Sequence, residues 1–318
     1  MKRKDGKAMN HCAFVFPGQG SQEVGMGRAF SERSPLARDL FTRADDILGF
    51  SISKICFAGP EEELRLTKHT QPALLIVSTI AYSLLRLEPA IACGHSLGEY
   101  SALVAAGALA FEDALRLVYR RGQYMQEAVP VGVGAMAAVL GADYDAIENG
   151  LARVRSGTVA VANWNSRDQV VIAGHKEAVE EALKIIAPPR SVMLPVSAPF
   201  HTSLMKSAEE RLAADLDRVE FRDLIFPVIT NVDGRMIRTG EEARDGLKRQ
   251  VSRPVLWYKA MDMLRQAEVR TIVELGSGKV LSGLAKRISR GWPQPISILN
   301  VENWETLEKT KAALFAAV

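Results

Sequence analysis

The stretch that decides the fold is Ile91-Ala92-Cys93-Gly94-His95-Ser96-Leu97-Gly98, followed by the Ala- and Leu-rich segment Glu99–Ala110. The apolar run before Gly94 predicts a buried strand, and the segment after Gly98 predicts a tightly packed helix. A strand, a sharp turn and a helix form the basic unit of an α/β fold. The turn matches Gly-x-Ser-x-Gly, whose small residues let a strained turn expose a serine hydroxyl. We therefore predict that Ser96 is a nucleophile; the alternative is a serine that only caps the helix.

A second strand-to-turn unit lies near the start of the chain. Ala13–Phe16 is a short apolar run that ends at Pro17-Gly18-Gln19-Gly20-Ser21, which predicts a buried strand and a glycine-rich turn. Apolar spacing predicts helices over 35–49 and 70–88. Three more strands are expected in the second half of the chain: Ile225–Thr230 (at a sheet edge, because of Pro227), Thr271–Glu274 and Ser297–Asn300.

The pattern between residues 132 and 197 differs from the rest of the chain. Strands and helices are predicted there in the order β-α-β-β-α-β, over Ala135–Leu140, Asp143–Arg155, Thr158–Asn163, Gln169–Ala173, Lys176–Ala187 and Ser191–Pro195. This order is the split, ferredoxin-like arrangement. We expect an α/β-hydrolase-like subdomain with a parallel central sheet, formed by 1–131 and 198–318. The ferredoxin-like subdomain, 132–197, is inserted into it.

Composition excludes several classes of protein. The 318 residues are 47% hydrophobic and 24% charged with a net charge of +3, which is typical of a globular protein with a sizeable core. The basic residues are dispersed, which argues against nucleic-acid binding. The longest apolar stretch, 72–85, is shorter than the ~20 residues of a membrane span, and no signal peptide is evident. Three widely spaced cysteines without a CxxC motif favour a reducing cytoplasm, and no metal site is expected.

A serine nucleophile needs a general base, and only five histidines are present. His201 follows the last strand of the insert in a loop that two prolines restrict, at a place where catalytic residues collect. The other four are less suitable: His95 turns away from Ser96 by alternation, and the rest are His11, His69 and His175 in polar or terminal stretches. We therefore predict His201 as the base; the alternative is a core histidine bonded to backbone.

A third triad member is not evident from the sequence. In an ordinary α/β-hydrolase the order is Ser, then Asp or Glu, then a His near the C-terminus. No histidine follows His201 here. A Ser96–His201 dyad, with the imidazole oriented by a backbone carbonyl, is the predicted arrangement, and it disfavours a standard esterase.

Taken together, the motifs resemble the malonyl-CoA:acyl carrier protein transacylase family of fatty-acid synthesis and the related acyltransferase domains of polyketide synthases. The matching segments are Phe16-Pro17-Gly18-Gln19-Gly20-Ser21-Gln22, Gly94-His95-Ser96-Leu97-Gly98-Glu99-Tyr100, Arg121-Gly122, Met125-Gln126, Gly134-Ala135-Met136, Asn163-Trp164-Asn165, Pro199-Phe200-His201 and Gln250-Val251-Ser252-Arg253-Pro254-Val255. They occur in the family's order and spacing from about Phe14 to Asn303. The resemblance therefore covers almost the whole chain.

The resemblance implies a reaction and a set of roles. Ser96 would be acylated by malonyl-CoA with His201 as base, and the malonyl group would then pass to the phosphopantetheine thiol of acyl carrier protein. The backbone N–H groups of Gln19 and Leu97 would form the oxyanion hole. A planar guanidinium suits the malonyl carboxylate, but the residues alone leave Arg120 and Arg121 open. Alignment to the family's Arg-Gly selects Arg121.

Other roles implied by the resemblance concern the rim of the site. Gln250 would orient His201 through its backbone carbonyl, and Asn163 would line the pocket, although Asn at a strand end also forms turns. Phe200 occupies a position where a bulky ring would exclude an α-methyl group, so methylmalonyl should be a poor substrate. The cations expected to meet CoA phosphates or the acidic carrier protein are Arg190, Lys286 and Arg287. The partners are malonyl-CoA and acyl carrier protein; we expect a monomer without a cofactor, a bound metal, nucleic acid or a membrane.

Three alternatives remain open from the sequence. A free-standing polyketide acyltransferase would use the same residues. A thioester hydrolase would use Ser96 and His201 but release the acid to water, against which Arg121 argues. A non-catalytic module that binds carrier proteins would form no acyl-enzyme at all.

Overall fold

The computed structural model describes residues 7–196 and 198–316. Residues 1–6, the predicted boundary residue Ser197 and the last two residues lie outside this description. Ten strands occur in the described ranges: β1 (Lys7–Phe16), β2 (Leu87–Gly94), β3 (Gly134–Leu140), β4 (Val159–Ser166), β5 (Gln169–His175), β6 (Arg190–Met193), β7 (Val228–Ile229), β8 (Met236–Ile237), β9 (Thr271–Leu275) and β10 (Ser297–Val301).

Helices connect and cover these strands. They are α1 (Arg28–Arg33), α2 (Pro35–Leu48), α3 (Ile52–Ala58), α4 (Glu61–Arg65), α5 (Thr67–Leu85), α6 (Gly98–Ala105), α7 (Phe111–Glu127), α8 (Tyr144–Leu151), α9 (Lys176–Ile186), α10 (Lys206–Leu216), α11 (Gly240–Gln250), α12 (Trp257–Gln266), α13 (Val280–Ile288) and α14 (Trp304–Ala316). Two short 3₁₀ turns, Ser203–Met205 and Ser289–Gly291, complete the regular structure. Within the described ranges no helix has both the length and the apolar character to cross a bilayer.

The larger sheet has six strands in the order β10-β9-β1-β2-β7-β8, parallel except for β8. Ala13–Phe16 of β1 is fully buried. This explains its uninterrupted apolar run, since helices cover both faces of a parallel strand. In the register between β1 and β2, Phe16 lies opposite Gly94. The glycine-rich turn after Phe16 and the turn around Ser96 therefore leave the sheet side by side.

The smaller sheet is antiparallel, with the order β4-β5-β3-β6. Its core is formed by β3, β4 and β5 with the inner faces of α8 and α9, including Val139, Ile172 and Val179. Two backbone hydrogen bonds of 2.9 Å join β4 to Val255, which precedes α12. The predicted combination of a parallel sheet and a separate antiparallel sheet is confirmed.

Several predicted element boundaries are wrong. Helix α5 begins at Thr67 rather than at residue 70, because polar residues before residue 70 are buried and bonded: Thr67 is 5% exposed, and His69 Nδ1 lies 2.9 Å from Glu63 O. His69 accordingly lies inside this helix. The predicted edge strand at Ile225–Thr230 shrinks to β7, and β8 pairs with it and takes the edge.

Candidate active site

The turn around Ser96 has the geometry of a nucleophile elbow. Ser96 has φ 51°, in the left-handed region. The two flanking glycines are required by close backbone approaches. A Cβ on Gly94 would lie 1.9 Å from the carbonyl carbon of Gly98, and a Cβ on Gly98 would lie 2.0 Å from the carbonyl oxygen of Phe16. The spacing of the Gly-x-Ser-x-Gly motif thus follows from how tightly the turn packs on itself and on β1.

Replacing Gly98 with alanine should destabilise the protein by about 3 kcal/mol, since the new methyl group meets backbone that cannot move aside. Gly283, in α13, is the matched control, because a Cβ added there would meet nothing within 4 Å and its φ is not left-handed. Gly283→Ala should stabilise by about 0.5–1 kcal/mol through helix propensity. Urea unfolding of both variants measures these changes. Equal stability of the two variants would contradict the steric explanation.

Ser96, His201 and the backbone of Gln250 form a chain of hydrogen bonds. Ser96 Oγ lies 2.8 Å from His201 Nε2, and His201 Nδ1 lies 2.9 Å from the carbonyl oxygen of Gln250. A carbonyl oxygen can only accept, so Nδ1 carries the proton and Nε2 is free to accept the proton of Ser96. The arrangement is a dyad with a backbone carbonyl in the third position.

Burial first, and then the nearby Arg121 and His95, lower the pKa of His201 to about 3, although a hydrogen bond to the Gln250 backbone opposes the change. We therefore expect the folded imidazole to stay neutral from pH 8 down to pH 5. Because the unfolded chain takes up the proton first, near pH 6.5, the stabilisation from this group is complete above that pH and falls as the pH drops towards 3. NMR of ¹⁵N-histidine-labelled protein, with His201→Ala to assign the signal, tests this. A titration of His201 centred near pH 6.5 would contradict it.

Arg121 is a buried cation beside the Ser96 hydroxyl. Its side chain is 1% exposed, and Nη2 donates to Ser96 Oγ at 3.0 Å and to Gln250 Oε1 at 2.8 Å. Nη1 donates to Gln71 Oε1 at 2.8 Å. In the described parts of the chain no carboxylate lies within ion-pair distance of this guanidinium, and its Nε has no partner. All its bonds thus go to neutral oxygens.

Two residues whose backbone amides are unbonded within the described chain, Gln19 and Leu97, line the same cavity as Ser96. Gln19 follows Gly18, whose Cβ, if present, would lie 2.3 Å from the carbonyl oxygen of His95, so only glycine allows the first turn to approach the elbow. Leu97 immediately precedes α6, whose amino end favours negative charge. Among residues 7–196 and 198–316, neither the Gln19 nor the Leu97 amide has a hydrogen-bond acceptor. Both remain available to a substrate oxygen.

Most residues predicted for the site line one cavity of about 120 Å³. The residues that line it include Gln19, Ser96, Leu97, Arg121, Asn163, Phe200 and His201. Gln250 does not line the cavity, but its Oε1 accepts a hydrogen bond from Arg121, which does. This volume is well below the ~300 Å³ of pockets for drug-sized ligands, so it admits a short acyl group. A groove of about 480 Å³ adjoins it and shares Gln19 and Asn163.

The three cations predicted to meet CoA or the carrier protein do not all lie at the groove. Arg287 lines the groove and donates to Gln169 Oε1 at 2.9 Å, and Lys279 lies at the same groove. Lys286 and Arg190 are exposed and are not among the residues that line either space. Of the three predicted cations, Arg287 alone lines the groove, and Lys279, which was not predicted, lines it too.

Three buried polar residues of the site were also missed: Gln71, Glu99 and Asn231. Glu99 Oε2 accepts from Gln250 Nε2 at 2.8 Å and from the Asn231 backbone at 3.0 Å. Burial raises the pKa of Glu99 to about 7, although those hydrogen bonds and Arg121 oppose the rise. For Glu99 the sequence held a signal that could have identified it: a carboxylate directly after Gly98, in a segment otherwise rich in Ala and Leu.

Comparison with known proteins gives one consistent result. A family model described as "Acyl transferase domain" matches residues 13–287. The malonyl CoA-acyl carrier protein transacylase of Escherichia coli K12 is 46% identical over 288 residues, 88% of this chain and 93% of that one. The Bacillus subtilis 168 protein of the same name is 42% identical over 308 residues, 94% of this chain and 96% of that one.

Solved structures agree. An acyl carrier protein S-malonyltransferase from Vibrio cholerae matches with a TM-score of 0.91 and 41% identity, covering 94% of this chain and 99% of that one. A malonyl-transacylase in complex with a type II polyketide synthase acyl-carrier protein matches with a TM-score of 0.91 and 40% identity, covering 95% and 99%. Sequence and fold are therefore both matched along nearly the whole chain.

Proposed function

The chain belongs to the acyl transferase domain family, and on this premise we propose that it moves malonyl from malonyl-CoA to the phosphopantetheine thiol of an acyl carrier protein, in fatty-acid synthesis. Its relatives carry the name of that reaction. The observation that carries the proposal for this chain is Arg121. A buried guanidinium 3.0 Å from the nucleophile, without an ion-pair partner in the described part of the chain, suits an acyl group that brings its own carboxylate.

The first half-reaction follows from the geometry. Ser96 Oγ attacks the thioester carbonyl of malonyl-CoA while its proton passes to His201 Nε2. The oxyanion that forms is held by the amides of Gln19 and Leu97, each worth about 3–4 kcal/mol in the transition state. The C–S bond then breaks, the CoA sulfur takes the proton from His201, and the malonyl group remains on Ser96 as an ester.

The second half-reaction reverses these steps with another thiol. The phosphopantetheine thiol gives its proton to His201 as its sulfur attacks the ester carbonyl. The C–O bond to Ser96 breaks, and the proton returns to Oγ. The Gln250 carbonyl stabilises the transient imidazolium through Nδ1 in both halves. The enzyme ends each cycle in its starting state.

The walls of the cavity suit malonyl. Phe200 is 8% exposed and lines the same cavity as Arg121, so its ring takes up space that a branch at the α-carbon of a carboxylate-bearing acyl group would need. Asn163 is fixed at the junction of cavity and groove by a bridge to Val255. Arg287, whose hydrogen bond goes to the neutral Gln169 Oε1 and which has no ion-pair partner in the described chain, brings an uncompensated positive charge to the groove for the phosphates of CoA or the acidic surface of a carrier protein. Lys279 lines the same groove but pairs with Glu302 at 2.7 Å.

We further propose the two-part organisation outlined from the sequence. Residues 132–197 would form a ferredoxin-like subdomain, supported by the strand order β4-β5-β3-β6. Residues 1–131 and 198–318 would form an α/β-hydrolase-like subdomain around the parallel sheet. The cavity is lined from both, by Ser96 and His201 on one side and Met136 and Asn163 on the other. We expect a cytoplasmic monomer, in keeping with three buried free cysteines.

The experiment that tests the function combines protein labelling with product analysis. The protein is mixed with [¹⁴C]malonyl-CoA, analysed by intact-protein mass spectrometry, and then given holo acyl carrier protein. We expect one malonyl group per chain and its transfer to the carrier. Release of free malonate instead of carrier loading would indicate a thioester hydrolase. Absence of any acyl-enzyme would exclude the proposed function.

A further inference from the structure

The side-chain amide of Asn231 makes hydrogen bonds to two backbone groups of the turn around Ser96. Asn231 lies in the loop after β7 and is 2% exposed. Its Oδ1 accepts the backbone N–H of Ser96 at 2.6 Å, and its Nδ2 donates to the carbonyl of Gly94 at 2.6 Å. These two backbone groups lie on either side of His95. A single side chain therefore holds the backbone on both sides of His95, in the first half of the strained turn.

The two backbone groups need such a partner. The turn lies between the end of β2 and the start of α6, so neither the sheet nor the helix supplies a partner there. A buried amide or carbonyl without a hydrogen bond is costly, and a non-glycine residue at φ 51° is strained. The hydrogen bonds of Asn231 thus act against relaxation of the turn.

Asn231 is itself fixed by its backbone. Its N–H donates to Glu99 Oε2 at 3.0 Å, and its carbonyl accepts from the N–H of Leu256 at 2.9 Å. The same Glu99 oxygen accepts from Gln250 Nε2 at 2.8 Å, and the Gln250 backbone carbonyl faces His201. The carboxylate thereby joins the support of the nucleophile to the support of the base.

We propose that Asn231 is a positioning residue for acylation of Ser96. It holds the Ser96 backbone in the left-handed conformation that places Oγ 2.8 Å from His201 Nε2. It also occupies the Ser96 amide, so that the neighbouring Leu97 amide is the elbow's donor to the oxyanion. The inference rests on the proposed function only in its use of malonyl-CoA as the acyl donor.

At this distance from the turn, the asparagine side chain can both accept from the Ser96 N–H and donate to the Gly94 carbonyl. Aspartate has nearly the same shape and accepts from Ser96 N–H, but it cannot donate to the Gly94 carbonyl and would place a second carboxylate near Glu99. Alanine removes both hydrogen bonds. We expect Asn231→Asp and Asn231→Ala to lower the acylation rate by ~10²-fold, the loss expected from a small misplacement of the nucleophile. KM for malonyl-CoA should change little, because Asn231 does not line the cavity.

The test measures the reactivity of Ser96 in two ways: single-turnover acylation by malonyl-CoA, and the second-order rate of labelling by a fluorophosphonate. Val139→Ala, in the core of the antiparallel sheet, is the control for general destabilisation and should keep both rates. If wild-type protein reacts with the phosphonate but not with malonyl-CoA, the proposed function fails, and the phosphonate rates still test Asn231. Wild-type rates in both Asn231 variants would overturn the inference.

A second measurement does not depend on the variants folding. In the wild-type protein, amide hydrogen exchange should be slow at Ser96, whose N–H is bonded to Asn231, and faster at Leu97, whose N–H has no acceptor in the described ranges. Equally fast exchange at the two amides would show that the hydrogen bond from Ser96 N–H to Asn231 Oδ1 does not persist in solution, and it would overturn the inference.

Discussion

Replacing Ser96 with alanine should abolish the malonyl-enzyme and lower malonyl transfer to the carrier protein by at least ~10⁴-fold. In the proposed mechanism the Ser96 hydroxyl oxygen attacks, and its proton passes to His201 Nε2 across a 2.8 Å contact. Loss of a serine nucleophile in a hydrolytic dyad or triad typically costs about 10⁴- to 10⁶-fold in kcat, since the remaining groups cannot act without it. Incorporation of ¹⁴C into the protein and into the carrier measures both effects.

Ser101 offers a matched control in the same helix. It lies in α6, is 2% exposed, and its hydroxyl has no hydrogen-bond partner among the residues that the structure describes. Ser101→Ala therefore removes the same atom from a neighbouring buried position and should leave labelling at the wild-type level. If Ser96→Ala is labelled as strongly as Ser101→Ala, the acyl-serine mechanism is wrong.

Replacing Arg121 with alanine should lower kcat/KM for malonyl-CoA by ~10²- to 10³-fold and leave acetyl-CoA unaffected or improved. In the variant, the malonyl carboxylate would lose water without gaining an ionic partner, which costs about 3–5 kcal/mol in a buried site. An acetyl group carries no carboxylate, so in the wild-type protein it leaves the Arg121 guanidinium without an ionic partner. Removing the guanidinium therefore does not penalise acetyl-CoA. The ratio of the two kcat/KM values is the quantity to measure.

Arg120 is the natural control, because it is the adjacent arginine and the sequence alone did not separate the two. Its side chain is 50% exposed and pairs with Asp215 at 2.7 Å. Arg120→Ala should keep the preference for malonyl. Arg121→Lys should recover only part of the loss, since an ammonium lacks the planar fork that meets both carboxylate oxygens. Unchanged selectivity in Arg121→Ala would contradict the role assigned to Arg121.

Local sequence predicted the elbow well. Glycines before and after Ser96, an apolar run on one side and an Ala-rich run on the other are signals that act within a few residues. The boundaries of α5 were harder to predict. Thr67–His69 has the composition of a loop, but these residues begin a buried helix: the Thr67 hydroxyl accepts from Gln19 Nε2 at 3.5 Å, and His69 Nδ1 lies 2.9 Å from the carbonyl oxygen of Glu63. Tertiary burial therefore overrode local propensity at that helix.

The supporting residues could not be predicted from spacing. Ser96 meets His201 across 105 positions, Asn231 across 135 and Gln250 across 154. Nothing local in Thr230-Asn231-Val232 distinguishes an asparagine that bonds to a distant turn from one in an ordinary loop. Its role appears only because β7 lies beside β2, which brings the loop after one strand against the turn after the other.

The sequence by itself thus predicted the two kinds of sheet, the turn around Ser96, the candidate nucleophile and base and, through a family resemblance, the candidate arginine. Those conclusions follow from steric and apolar patterns that act over a few residues, or from motifs. Only the tertiary structure decided that Arg121 is buried without an ion pair in the described chain, and that Glu99 and Asn231 bond to the backbone and side chains around Ser96 and Gln250. The reason is physical: burial and hydrogen-bond partnership depend on which strand ends are neighbours in the sheet, and strand order is not written in any local stretch of the chain.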